Sequence, residues 1–202
     1  MKLHSLKNEV YREGDKVMKR FADKEAFFRE LETAQKLREC GVSVAKVIES
    51  SDNQIIYEWI EGEGYHNLVD SFEQKHARAL VDWLVQYYHA TGRLRGDVNL
   101  RNFIYNDELN KCIGVDFEEN YTEGEEEKDF GRIIAFASTY EPSFTENKKN
   151  CIKLLMDEFE RVGADKAKIK ESYLAEIYDI IKRRTNRFYD LNYAIAFLED
   201  TV

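Results

Sequence analysis

Apolar and polar positions recur with two different periods along this chain, and the period changes within its first third. In residues 9–21, EVYREGDKVMKRF, side chains alternate on either side of EGD. That alternation predicts a hairpin of EVYR and KVMKRF. Val17, Lys19 and Phe21 then share one face, and Met18 and Arg20 the other. Residues 24–40 shift to the helical period, with Phe27, Leu31, Ala34 and Leu37 as the inward stripe. Two further strands, VAKVIES and QIIYEWI, join through SDN, and Glu61 to Tyr65 predict a connector. Residues 71–91 predict a long helix whose broad apolar face holds Ala77, Leu80, Val81, Leu84, Val85 and Tyr88. A second hairpin, NFIY and CIGV around NDELN, is followed by an acidic loop, EGEEEKD. From about residue 128 the pattern predicts helices alone, with the single proline, Pro142, in a loop between two of them. Strands first and helices later, interrupted by one hairpin, predict an α+β fold of two unequal lobes. The expected division is 1–60, an antiparallel sheet plus one helix, and 61–202, a helical lobe.

Composition narrows the function classes. At 202 residues with 43% hydrophobic content, the chain can bury a sizeable core. A formal charge of −9 argues against nucleic acid as a direct ligand, because phosphate contacts need clustered Lys and Arg. Cys40, Cys112 and Cys151 form no metal-like spacing and read as thiols of a reducing compartment. The N-terminal residues carry no apolar signal region, and no apolar run is long enough for a membrane span. A cytoplasmic protein without a membrane partner is expected.

A few polar residues stand where packing alone would not put them. Lys19 lies between two apolar neighbours on a strand face. Glu30 falls inside the apolar stripe of the following helix, where a carboxylate costs several kcal/mol, on the order of the desolvation penalty, unless paired. Lys19 is its natural partner. Asp97, Asn102 and Asp116 flank the second hairpin, and loops of this kind can bring three such oxygens to one point. Two protein oxygens plus phosphate oxygens suit Mg²⁺. Each residue also has a plain reading: a snorkelling lysine, a glutamate curling to water, turn formers at Asp97 and Asn102, a strand-end cap at Asp116.

Taken in order, a Lys on a strand, a Glu on the next helix, D-x-x-x-x-N and an apolar strand ending in D-F-E resemble the protein-kinase-like superfamily. The similarity is greatest to its small atypical members: the aminoglycoside phosphotransferase and choline kinase group, and the compact serine/threonine kinases of the KEOPS tRNA-modification assembly. YHATGRLRGDVNLRNFIY resembles their LHxxGxxHGDxxxxNxx stretch, IGVDFEEN their metal-binding strand end and IIYEWIEGE their hinge. The resemblance spans roughly residues 5–135. It implies that Asp97 is the catalytic base. It implies that Asn102 and Asp116 hold Mg²⁺ on the phosphates of ATP, and that Lys19, held by Glu30, contacts those phosphates. The backbone of Glu58 and Ile60 would meet the adenine, with Tyr57 behind it, and Asp129 would brace the catalytic loop.

Three departures bear on activity. No glycine precedes Gly14, so Ser5 and Asn8 would have to serve where relatives use a glycine-bearing phosphate loop. Arg95 stands where relatives carry a histidine, and altered packing is expected there. The segment from Asp116 to Asp129 is short and lacks A-P-E, which favours a small-molecule hydroxyl over a protein serine or threonine as acceptor. Arg101 could reach a transferring phosphoryl group or be a solvated loop arginine. EGEEEKD could draw a cationic acceptor or be a solvated loop. Two functional readings follow: an Mg-ATP-dependent phosphotransferase, and a kinase-fold nucleotide-binding regulator without turnover.

Overall fold

The computed structural model describes residues 1–2, 7–119, 122–183 and 190–201. Strand β1 (Glu9–Glu13) and strand β2 (Lys16–Arg20) form the first predicted hairpin. Strands β3 (Val47–Ser51) and β4 (Gln54–Glu58) complete an antiparallel sheet of order β1-β2-β4-β3. Its register sets Lys19 opposite Ile55 and Val17 opposite Tyr57. Helix α1 (Lys24–Glu39) starts where the Asp23 carboxylate accepts the Glu25 N–H at 2.9 Å. It packs over the sheet with Phe27, Ala34 and Leu37 buried and Leu31 partly so.

The third strand starts later than its sequence suggests. Ser43 and Val44 are claimed by the second hairpin instead, and Lys46 reaches β4 through a single backbone hydrogen bond to Glu58. Val44 makes a parallel bridge to Gly114, and the Ser43 carbonyl accepts both the Gly114 N–H at 3.1 Å and the Trp83 Nε1–H at 2.7 Å. The expected connector likewise holds a short strand, β5 (Glu63–Gly64), which joins β6 (Phe103–Asn106) and β7 (Lys111–Gly114) in a second sheet. A short helix α2 (Tyr65–Leu68) and a 3₁₀ turn precede α3 (Gln74–Thr91). The α3 start is delayed because Phe72 is extended and Glu73 and His76 form its capping box. Its buried face is wider than the periodicity indicates and includes Trp83 and Tyr87, since α3 meets the hairpin on one side and α5 on the other. Gly114 makes that contact possible: a Cβ there would stand 2.2 Å from the Trp83 ring.

Helix α4 (Glu127–Thr139) starts inside EGEEEKD, so the acidic run is half loop and half first helical turn. Helices α5 (Glu146–Arg161), α6 (Lys166–Arg183) and α7 (Leu191–Glu199) follow, with Pro142 between α4 and α5 as expected. Helix α4 lies flat on α6 at Gly131, where a Cβ would come within 2.6 Å of the Ile169 carbonyl. The architecture is mixed: a small sheet-and-helix lobe with a core of Phe21, Phe27, Ile55 and Tyr57, beside a larger, mainly helical region with its own core. Among the described residues no helix is long and apolar enough to cross a membrane.

Candidate active site

Lys19, next to last in β2, faces the gap between the two cores and is 7% exposed. Its Nζ donates to Glu30 Oε2 at 2.7 Å and to Asp116 Oδ1 at 2.7 Å, and lies 3.3 Å from Glu118 Oε2. Glu30, 2% exposed, accepts on both oxygens: Oε1 from the Tyr57 hydroxyl at 2.8 Å, and Oε2 from Lys19 and from the Phe117 N–H at 3.2 Å. One ammonium and three carboxylates give this cluster a formal charge of 1 − 3 = −2. The imbalance explains its protonation behaviour. Burial pulls the Lys19 ammonium down, but the fields of Glu30, Asp116 and Glu118 outweigh it and raise the lysine. Burial, and then the Asp116 charge, push the Glu30 carboxyl up against the pull of Lys19 and Tyr57, leaving it above the ordinary carboxylate range.

The loop from Leu94 to Asn102 is held from beneath. Asp129, in the first turn of α4 and fully buried, accepts the N–H groups of Arg95 at 2.7 Å and Gly96 at 3.2 Å, and the Tyr88 hydroxyl at 3.2 Å. Burial raises its pKa, and these donors partly offset it. Arg132 Nη1 donates to the Gly96 carbonyl at 3.1 Å. The loop is then closed on itself, with Asn102 Nδ2 donating to the Asp97 carbonyl at 3.3 Å, and on the second hairpin, with the Val115 N–H donating to the Asn102 carbonyl at 2.9 Å. That commits the Asn102 nitrogen and leaves its amide oxygen as the atom suited to a cation. Asn99 accepts the Tyr140 hydroxyl at 2.8 Å, and Arg101 is exposed at the cavity edge.

Arg95 does more than alter packing. Only 4% exposed, it donates through Nη2 to the carbonyls of Val115 and Asp116, each at 2.7 Å, with the Phe117 ring 4.6 Å from its guanidinium carbon. Asp116 sits at φ 65°, a left-handed backbone that is uncommon outside glycine, and this strap holds it there.

Lys19, Glu30, Asp97, Asn102 and Asp116 line one cavity of about 470 Å³. Tyr57, Glu58 and Ile60 line it as well. The Glu58 N–H is spent on the Lys46 carbonyl at 2.9 Å, so the Glu58 carbonyl and the Ile60 N–H are the backbone groups left to meet a base. Trp59 Nε1 is buried without a hydrogen-bond partner, and the Arg12 guanidinium lies 3.6 Å above the Trp59 ring.

Asn8 is near this cavity, but its amide donates to Glu118 and accepts the Ala22 N–H at 3.3 Å, while Lys7 pairs with Glu119. Ser5 lies outside the described residues. The acidic run turns to α6: Glu125 pairs with Lys168 at 2.7 Å and Glu127 accepts the Asp165 N–H at 3.0 Å. His89, in the last turn of α3, is exposed. Two residues of consequence escape the sequence. Arg95 is noticed only as a departure, and Glu118, 8% exposed, has no signal beyond standing two positions after Asp116. Carboxylate oxygens of Glu30, Asp116 and Glu118 lie within 4.8 Å of one another, a spacing one cation could span.

No protein-family model matches this sequence, and no curated relative matches it either. Solved structures do. ADP-bound aminoglycoside phosphotransferase APH(2″)-Ib superposes with a TM-score of 0.62 at 14% identity, over 99% of this chain and 90% of that one. The streptomycin–ATP ternary complex of APH(2″)-IIa gives 0.61 at 15% identity, over 94% of this chain and 86% of that one. A choline/ethanolamine kinase family protein of Mesorhizobium loti gives 0.61 at 15% identity, over 100% of this chain and 84% of that one. The chain therefore has the protein-kinase-like fold, in the form seen in aminoglycoside phosphotransferases and choline/ethanolamine kinases.

Proposed function

We propose that this protein is an Mg-ATP-dependent phosphotransferase that moves the γ-phosphoryl group to the hydroxyl of a small molecule. The observation that carries this reading is one cavity lined by Lys19, Glu30, Asp97, Asn102 and Asp116, with a net negative cluster at its inner end. In this reading residues 1–60 form the lobe over the nucleotide and residues 61–202 the lobe bearing the catalytic loop. The base lies between Val17 and Ile104 against the backbone of Glu58 and Ile60, with Tyr57 behind. Lys19 meets the phosphates, and Glu30 keeps it extended. A magnesium ion bound by Asn102 and Asp116 would neutralise phosphate charge, and the surplus of carboxylate over lysine suits a divalent cation.

Asp97 accepts the acceptor's hydroxyl proton as the new O–P bond forms and the bond from the γ-phosphorus to the bridging oxygen breaks, releasing ADP. Such a reaction needs positioning and charge neutralisation more than covalent help from the protein. The neighbours named for aminoglycosides and for choline or ethanolamine favour a small acceptor, as does the short stretch from Asp116 to α4. A cationic acceptor loses its main support, since Glu125 and Glu127 are spent on α6.

One observation favours the second reading, a nucleotide-binding regulator without turnover. The phosphate-covering segment has no glycine, and Asn8 is tied to Glu118. Thermal shift with Mg-ATP, run beside turnover across an acceptor panel, separates the two. The enzyme predicts binding lost in Asp116→Ala, and binding kept with turnover lost in Asp97→Asn. Wild type that binds and never turns over, autophosphorylation included, is the regulator.

A further inference from the structure

Glu30 holds three donors, and they are not equivalent. Lys19 and the Phe117 N–H both converge on Oε2, while Oε1 is held by the Tyr57 hydroxyl. The last torsion of a glutamate is broad and roughly two-fold, so a carboxylate anchored on one oxygen alone can swivel. The phenol supplies the second anchor. Tyr57 is suited to this: it is 8% exposed, sits at the end of β4 opposite Val17, and packs in the small core with Phe21 and Phe27. Its ring walls the cavity while its hydroxyl points past the wall to Glu30.

We propose that Tyr57 is a positioning residue for the phosphate end of the nucleotide: its hydroxyl fixes Glu30, and Glu30 fixes Lys19. The back of the base pocket and the phosphate-binding lysine are then one hydrogen-bonded unit. This deepens the nucleotide-binding reading above and rests on it. A ring that only walls the pocket would need no hydroxyl, and phenylalanine would serve as well.

The groups facing Glu30 are Lys19 from β2, Tyr57 from β4, and Asp116 and Glu118 from the segment after β7, while its inward neighbours on α1, such as Phe27 and Ala34, are uncharged. Of these, Lys19 and Tyr57 pull the Glu30 carboxyl down and Asp116 pushes it up. Removing the phenol leaves Glu30 anchored on Oε2 alone, free to swivel and to carry Lys19 with it.

The test compares wild type, Tyr57→Phe, Glu30→Gln and the double variant, by titration with Mg-ATP and separately with adenosine. Melting curves confirm that each variant is folded at the assay temperature. The proposal predicts that Tyr57→Phe binds Mg-ATP about tenfold more weakly, the size of one hydrogen bond to a charged group, with adenosine affinity unchanged. Glu30→Gln, which keeps an acceptor for the phenol but loses the charge, shows the same selective loss, and the two changes combine to less than their sum. Equal Mg-ATP binding by wild type and Tyr57→Phe overturns the positioning role and leaves nucleotide binding standing. Equal weakening toward adenosine and Mg-ATP also overturns it, since Tyr57 would then be a wall alone. Wild type that binds no Mg-ATP overturns this proposal together with the reading beneath it.

Discussion

Among the described residues two lysines are buried, Lys19 and Lys148, and they are buried in opposite ways. Lys148, on α5, is 0% exposed and donates to one carboxylate, Asp70 Oδ1 at 3.0 Å, which is itself half exposed. Cys151 and Ile152 are buried one turn on, and no described cavity reaches it. Lys19 is slightly less buried, yet it faces three carboxylates and opens on the main cavity. Burial of a charge is thus a poor sign of function. Lys148 is a balanced pair closing a helix junction. Lys19 belongs to a set with surplus negative charge, which the fold leaves for something else to neutralise.

Substitutions should divide along this difference. The largest effect is expected at the loop serving the Lys19 cavity: Asp97→Asn should lower turnover by about 10³-fold with Mg-ATP affinity and melting behaviour little changed, as read by steady-state kinetics beside calorimetry. Lys19→Met should cost about 10²-fold or more in kcat/KM. Asp70→Ala should act on stability instead. It leaves the Lys148 charge buried and alone, costing about 3 kcal/mol in denaturant unfolding, while turnover per folded molecule stays at the wild-type value. A catalytic collapse in Asp70→Ala with stability intact would dissolve the contrast.

A pH series sharpens it further. Glu30 has its pKa raised in the folded protein. Its contribution to stability is therefore fully present below the unfolded pKa and is lost as pH rises through the folded one. In the proposed function, activity needs the carboxylate and runs the other way. Acidifying from neutrality toward the ordinary carboxylate range of about 4 to 5 should first lower Mg-ATP binding while the Glu30 share of stability increases, and Glu30→Gln should flatten both trends. The smallest effect is expected at Glu125→Gln on the surface of α4's approach: no change in turnover toward cationic or neutral acceptors, since that acid serves Lys168.

Much of this is legible in the sequence, and the boundary is physical. The first hairpin, α1 and the second hairpin follow from local periodicity, which the structure reproduces within a few residues. Glu30 can be found because an acid inside an apolar stripe must have a partner, and Lys19 lies only 11 positions away. Lys148 cannot, because Asp70 is 78 positions distant and the polar stretch TENKKN around a helix start looks solvated. The late start of β3 has the same origin, in a hydrogen bond from Gly114 to Ser43 across the chain. The acidic run leaves its alternatives open for a related reason: two of its carboxylates, Glu125 and Glu127, meet Lys168 and the Asp165 N–H some 40 positions on.

The central claim is that the Lys19 cluster and Asn102 form a place for a nucleotide and its metal. Calorimetric titration of ATP into wild-type protein, with magnesium present and after its removal by a chelator, tests it most directly. The account predicts binding of one nucleotide that weakens at least about tenfold without the metal, and a metal effect that disappears in Asp116→Ala. Absence of binding, or equal affinity with and without magnesium, would contradict it.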